Sequence, residues 1–305
     1  MDLSKLFNLQ FMMFAEMAAG YILCKIHILK PSDRSVLSKS VINLFLPASI
    51  IGAFNIELNS EILGNFIEIL IVSSVIQIFC VILAAFLFNR TDENKKHILQ
   101  YATVCSNAGF LGNAVAEGVY GQMGMMYGQI YLIPLRIVMF SAGVSYFQGG
   151  TDLKTVLKKV VTHPCIVACA IGILRMVLNI PMPEMITGTL TSLGRCCTPL
   201  IMVFLGMILA ENGFSTMFSK LNIEFSVLRL VIIPLVVLVG CMLAHTEPMI
   251  TGLSVLLAAM PAGSTTAVFA EQYNADVRFA ADCVVLSTIL SIAVLPVWAW
   301  ILSGL

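Results

Sequence analysis

Apolar runs about 20 residues long recur roughly every 30 residues along the whole chain, each closed by a short polar stretch. The pattern predicts ten spans, at 7–27, 34–54, 62–88, 98–120, 124–147, 162–180, 187–209, 221–244, 249–271 and 279–302. Each reads as a helix by its length rather than by its period. Two of the ten have interiors that oppose a continuous helix. In the fourth, Gly109 and Gly112 lower helix propensity, and Asn107 and Asn113 carry amides that hydrocarbon leaves unsatisfied. In the ninth, Pro261 removes a backbone donor and turns Met260 away from the helical conformation, and Gly263 follows, so a new half-helix is expected near Ser264. The alternative for the ninth span taken alone is a proline kink, with Ser264, Thr265 and Thr266 bonding their own backbone carbonyls. The same disruption at the equivalent place in the fourth favours two discontinuous helices, with Gly109, Gly112, Pro261 and Gly263 as the expected breaking points.

Composition places these helices in a membrane. Of 305 residues, 59% are hydrophobic and 11% charged, and the mean hydropathy is +0.95, outside the range of soluble domains. Ten spans use most of the length and leave no room for a soluble catalytic domain. At depth there are no paired aspartates, no His–Glu metal motif and no Ser–His pair, so the chain is not expected to be an enzyme. The nine cysteines fall in or beside apolar runs and read as small packing residues. The bilayer is the expected environment, with no resident cofactor, no metal and no nucleic acid. Asp2 and Glu16 spoil the pattern of a cleavable signal, so the first span is expected to persist.

Charge orients the spans. Lys and Arg gather in the first, third, fifth, seventh and ninth connections, from Lys25, Lys30 and Arg34 to Lys220 and Arg278, and the intervening connections have none. The odd connections are therefore expected in the cytoplasm, with both termini on the non-cytoplasmic side of the plasma, or inner, membrane. The chain halves at the basic connection from Thr151 to Lys159, and a shift of 152 residues aligns Gly20 with Gly172, Pro31 with Pro183 and Pro47 with Pro199. Each half holds an odd number of crossings, so the second enters the membrane inverted. The expected fold is an all-α integral membrane protein of ten transmembrane helices in two inverted five-helix repeats, residues 1–147 and 162–305, joined by a cytoplasmic linker at 148–161.

The stretch Ser106-Asn107-Ala108-Gly109-Phe110-Leu111-Gly112 with Tyr120-Gly121, and Pro261-Ala262-Gly263 with Val268-Phe269-Ala270 and Tyr273-Asn274, resemble the auxin efflux carrier family of secondary transporters. That family includes plant auxin exporters and bacterial malate and malonate permeases. His163-Pro164, Thr198-Pro199-Leu200 and Leu295-Pro296 extend the likeness over the whole chain. The resemblance implies that the broken helices 4 and 9 cross near the midplane in a transport domain of spans 3–5 and 8–10. Spans 1, 2, 6 and 7 would form a scaffold suited to a homodimer, and transport would be elevator-like. It also implies that Asn107 contributes to a carboxylate site. Where the plant carriers place a proline at each crossing, this chain has Ala114 and Thr266.

A half-helix that starts at the midplane exposes backbone donors and the positive end of its dipole, which together suit an anion. The expected substrate-binding set is the backbone from Gly112 to Ala114 and from Ser264 to Thr266, the side chains of Asn107, Asn113, Ser264, Thr265 and Thr266, and the close approach allowed by Gly109 and Gly263. The expected cargo is a small mono- or dicarboxylate such as malate, malonate or an auxin-like acid, moved with a proton or sodium ion or by uniport. A membrane receptor that binds without transport is the alternative on the same fold. Charges within spans are costly and are weighed singly. Glu16 and Arg136, near the middles of the first and fifth spans, either pair for structure or serve cation coupling and a second carboxylate. Glu117 and Glu271 close their broken helices in equivalent places, either as interfacial acids or as groups that titrate while access alternates. Arg195 and Arg229, about eight residues from span ends, are within snorkelling reach of an interface and are expected to have structural roles.

Overall fold

A computed structural model describes residues 3–54, 63–148, 161–162, 164–212 and 217–302. Among them every regular element is helical, apart from one isolated antiparallel bridge between Ser106 and Ala262. In chain order the helices are α1 (Leu3–Lys25), α2 (Asp33–Ser40), α3 (Leu46–Ala53), α4 (Leu63–Leu87), α5 (Glu93–Val104), α6 (Asn113–Val138), α7 (Val144–Gln148), α8 (Pro164–Leu178), α9 (Glu184–Arg195), α10 (Cys197–Asn212), α11 (Lys220–Val227), α12 (Ile233–Leu243), α13 (Pro248–Ala258), α14 (Thr265–Gln272) and α15 (Val277–Leu302). Wide π-type turns at Val41–Phe45, Ala108–Gly112, Met139–Gly143 and Leu228–Ile232 lead into α3, α6, α7 and α12. Two of these turns precede a proline in the first helical turn, Pro47 in α3 and Pro234 in α12. A proline ring has no N–H to give the preceding turn and crowds its carbonyl, and one extra residue in the turn relieves both.

Among the described residues six helical stretches are long and apolar enough to cross a membrane: Asp33–Gly52, Asn65–Leu87, Ile130–Phe147, Glu184–Ala210, Lys220–Leu243 and Val277–Leu302. The remaining expected spans fall on α1, on α8 and on the interrupted pairs α5 with α6 and α13 with α14. Gly121 interrupts α6 with φ 65° and ψ −154°. Residues with a Cβ avoid that conformation, and it falls at the turn expected between the fourth and fifth spans. The linker expected at 148–161 lies, apart from its two end residues, outside the described residues.

The helices are sorted by what covers them. α4 turns Ile67, Ile71, Val75, Ile78, Ile82 and Phe86 outward at three- or four-residue spacing, and α12 exposes Leu235, Val236, Val239 and Met242. Stripes of that extent need lipid over them. Residues 250–270 are instead buried without exception, so α13 and α14 are walled in by other helices.

Packing falls into two groups. In one, α1 lies along α10, and α3 lies against α8 and α9. In the other, α4 meets α5 and α6, α13 meets α6 and α12, and α15 meets α11 and α14. The approach of α1 to α10 is one that only glycine permits. A Cβ on Gly206 would run into the Met17 carbonyl oxygen, and one on Gly20 into that of Val203. Gly206→Val should therefore force the pair apart, at a cost of about 2–3 kcal/mol, read as a lower unfolding temperature in detergent. Gly188→Ala is the control, because a Cβ there meets nothing within 4 Å. Equal midpoints for the two variants would mean that α1 and α10 do not touch at Gly206.

Candidate functional site: a crossing of two broken helices

The fourth span leaves the helical conformation at Cys105, where φ −108° and ψ 102° are extended, and the ninth leaves it after Ala258. Over three residues the two segments run antiparallel. The Gly263 N–H donates to the Cys105 carbonyl and the Asn107 N–H to the Pro261 carbonyl, both at 2.8 Å, on either side of the Ser106–Ala262 bridge. The Ala262 N–H donates to Ser287 Oγ at 3.1 Å. Each broken segment thus supplies partners that neither helix has alone, which the membrane interior requires. Gly263 is what lets the backbones meet, since a Cβ there would lie 3.0 Å from the Cys105 carbonyl oxygen.

The break in the fourth span corrects one expectation. Gly109 and Gly112 do not break the helix but lie in the π-type turn Ala108–Gly112 that opens the second half. A glycine weakens a helix by only about 1 kcal/mol, less than the hydrogen bonds that residues 105–107 gain from the ninth span. Gly112 serves packing instead: a Cβ there would lie 2.8 Å from Leu257 Cδ2. Pro261 and Gly263 do lie in the interruption of the ninth span, and α14 begins at Thr265, directly after Ser264. The expected donors also move. The Leu111 and Gly112 N–H groups both donate to the Asn107 carbonyl at 3.1 Å, so the positive end of this half-helix is at Ala108, not at Gly112 to Ala114. The side chains of Asn113, Ala114 and Glu117 lie outside the described residues.

A cavity of about 50 Å³ opens where the two N-terminal ends converge. Ser106, Asn107, Gly109, Gly263, Ser264 and Thr265 line it from the crossing, and Ser49, Arg136 and apolar side chains of α3 and α6 close it. Its polar groups divide into spent and unspent. The Thr266 hydroxyl donates to the Gly263 carbonyl at 2.6 Å. The Tyr101 hydroxyl donates to Thr265 Oγ1 at 3.1 Å, and Thr265 donates toward Met139 Sδ at 3.9 Å. In contrast, both amide atoms of Asn107, Ser106 Oγ and Ser264 Oγ are buried with no partner among the protein's own groups. Asn107 is 2% exposed and Ser264 1%. A buried polar group left unmade costs about 1–3 kcal/mol, so the arrangement calls for a polar occupant.

Glu16 and Arg136 line different spaces. Arg136 is buried in the cavity wall with its guanidinium 5.4 Å from the centre of the Phe54 ring. Glu16 lies in an adjoining space of about 580 Å³ with Met13, Thr191, Arg195 and Thr198, which shares only Ser49 and Gly109 with the smaller cavity. That space in turn shares Thr191 and Arg195 with a third, of about 570 Å³, beside Glu184, Thr187 and Gly188 of α9. The three spaces thus share lining residues stepwise from the polar face of α9 to the crossing. At the far end of α14 there is closure: Ser38 Oγ donates to the Val268 carbonyl at 3.1 Å, and Arg34 Nε lies 4.0 Å from Glu271 Oε2.

Arg229 is the residue that sequence reasoning misplaced. It does not snorkel but is buried at 3% exposure, donating from Nε to the Met260 carbonyl and from Nη1 to the Thr103 carbonyl, each at 3.2 Å. Its signal in the sequence is a lone charge well inside an apolar span, and its carbonyl partners have no signature there.

Replacing Gly263 with Leu should separate the two segments and cost about 2 kcal/mol or more, seen as a lower unfolding temperature. Gly109→Ala, whose Cβ enters open space, should keep the wild-type midpoint. Wild-type stability in Gly263→Leu would rule out the three-residue pairing.

Comparison with known proteins shows the family of the chain. The family described as membrane transport protein matches residues 6–149 and 151–299. An uncharacterized transporter of Methanothermobacter thermautotrophicus is 30% identical over 292 residues, covering 93% of this chain and 94% of the relative. One from Methanocaldococcus jannaschii is 24% identical over 294 residues, and the uncharacterized transporter YfdV of Escherichia coli is 21% identical over 305, both at the same coverage. Matched over nearly its whole length and carrying the crossing motifs, this multi-pass membrane protein belongs to the membrane transport protein family of the auxin efflux carriers.

Proposed function

We propose that the protein is a secondary transporter for a small organic anion, a mono- or dicarboxylate, working by elevator-type alternating access on ten spans in two inverted repeats. The observation that carries this reading is the buried, unpartnered Asn107 amide and Ser264 hydroxyl at a cavity where two helix N-termini and Arg136 meet. The amide N–H groups and the serine hydroxyl donate to carboxylate oxygens, and the helix ends add partial positive charge without reorganisation. Arg136 suits the second carboxylate of a cargo such as malate or malonate. A space of about 50 Å³ holds a carboxylate head and little more. The rest of a larger acid, such as an auxin-like one, extends into the adjoining space beside Glu16 and Arg195.

The two packing groups support a moving body around the crossing against a scaffold that includes α1, α3, α8, α9 and α10. Access is open along the cavities beside α9 and closed where α2 meets α14. The distribution of basic residues makes the open side the non-cytoplasmic one. Opening inward requires Glu271 to part from Arg34, a partly exposed pair worth about 1 kcal/mol or less, a barrier small enough for a working cycle. A coupled proton or sodium ion has Glu16 as its best-placed carboxylate, since Glu16 Oε2 is buried without a partner.

Uptake of labelled malate, malonate and an aromatic acetate into proteoliposomes tests this, with proton and sodium gradients imposed separately. Saturable flux is expected. Asn107→Ala should raise the half-saturating concentration about ten- to a hundredfold, the worth of a hydrogen bond to a charged group, in a protein that still folds and inserts. Unchanged affinity would remove Asn107 from the site. Tight binding of any of these acids with no flux would make the protein a receptor.

A further inference from the structure

We infer that Arg229 is a tethered cation, its guanidinium holding the place that a free coupling ion takes among converging carbonyls at the C-terminal ends of broken helices. α5 ends at Val104 and α13 at Ala258, so the last carbonyls of each lack helical donors and carry the negative ends of two dipoles. In transporters with discontinuous helices such carbonyls coordinate sodium. Here the Met260 and Thr103 carbonyls, one from each broken span, accept from a single guanidinium. Among the described residues no carboxylate pairs with Arg229, so its counter-charge is the backbone itself.

The local structure delivers the side chain to this place. Arg229 sits in the π-type turn Leu228–Ile232 ahead of Pro234, on the helix that packs along α13. Burying a charge is costly unless its donors are met, and the guanidinium meets carbonyls from two separate segments at once, for which its planar fork is better shaped than an ammonium. The positive charge is therefore permanent, and no external cation is needed at this point of the crossing in any step of a cycle. This deepens the transport reading and rests on it for its bearing on coupling, but the occupancy of the carbonyls by Arg229 can be tested without transport.

Thermal unfolding of the purified full chain in sodium, potassium and choline chloride at equal ionic strength provides that test. The wild-type midpoint is expected not to move when low-millimolar guanidinium is added, because the Thr103 and Met260 carbonyls are already occupied. Arg229→Ala should unfold at a lower temperature in choline chloride and regain most of the loss when low-millimolar guanidinium or sodium is added. A merely structural arginine predicts a loss that no small cation restores. That outcome overturns the inference. Where Arg229→Ala does not fold, Arg229→Lys should retain more of the wild-type midpoint than Arg229→Gln, and equal losses overturn it as well. If no acid is taken up at all, the transport reading fails while the unfolding data still decide the place of Arg229.

Discussion

A peptide group inside a bilayer has no water to turn to, and the crossing of the two broken spans is the solution on which the rest of this structure depends. Neither interruption is stable alone, because each would leave carbonyls and N–H groups bare. Together they close most of the account: Gly263 to Cys105, Asn107 to Pro261, Ala262 to Ser287, and the carbonyls of Thr103 and Met260 to Arg229. The demand then spreads outward. Partners from α12 and α15 have to reach the crossing, so α13 and α14 are enclosed on every side, and lipid-facing stripes are left to helices such as α4 and α12.

The site is what remains after that demand is met. Thr265 and Thr266 have the chemistry of ligand residues, yet their hydroxyls are taken up by Met139 and by the Gly263 carbonyl. Asn107 gives its backbone N–H to the ninth span and keeps its side-chain amide. Ser264 likewise keeps its hydroxyl. Ser106 and Asn107 of one crossed segment and Ser264 of the other therefore present polar groups that the fold does not use, and all three line one small cavity. In a membrane interior, polar groups left over in this way are costly to keep.

The helical, multi-pass character was legible because span length and hydropathy are summed over many residues, and two interruptions were legible because glycine and proline act locally. Gly121 marks the turn between two spans, and Pro261 with Gly263 places the break in the ninth. Cys105 has no local reason to leave a helix, and it is extended only because Gly263, far away in sequence, donates to it. That is why the break was expected at Gly109 and Gly112. Depth along a span was readable for Glu16 and Arg136, but which way each side chain faces was not, since helices apolar on all sides have no period to give direction. Arg229 was misplaced for a related reason: its partners are backbone carbonyls, which every residue has.

Four helix ends meet at the crossing, and their charges are sorted. The two C-terminal ends, each worth about half a negative charge, converge on Arg229. The two N-terminal ends face the cavity with Asn107 and Ser264. Were the negative ends left bare, their field would reach the cavity only a few residues away through a medium of low dielectric and would oppose an anion there. Arg229 removes that opposition without occupying the cavity. On the proposed reading of an anionic cargo, the guanidinium that completes the backbone's hydrogen bonding also favours the sign of charge at the site, and a crossing of this geometry with a neutral residue at position 229 would be a weaker anion site even with every residue of the cavity wall unchanged.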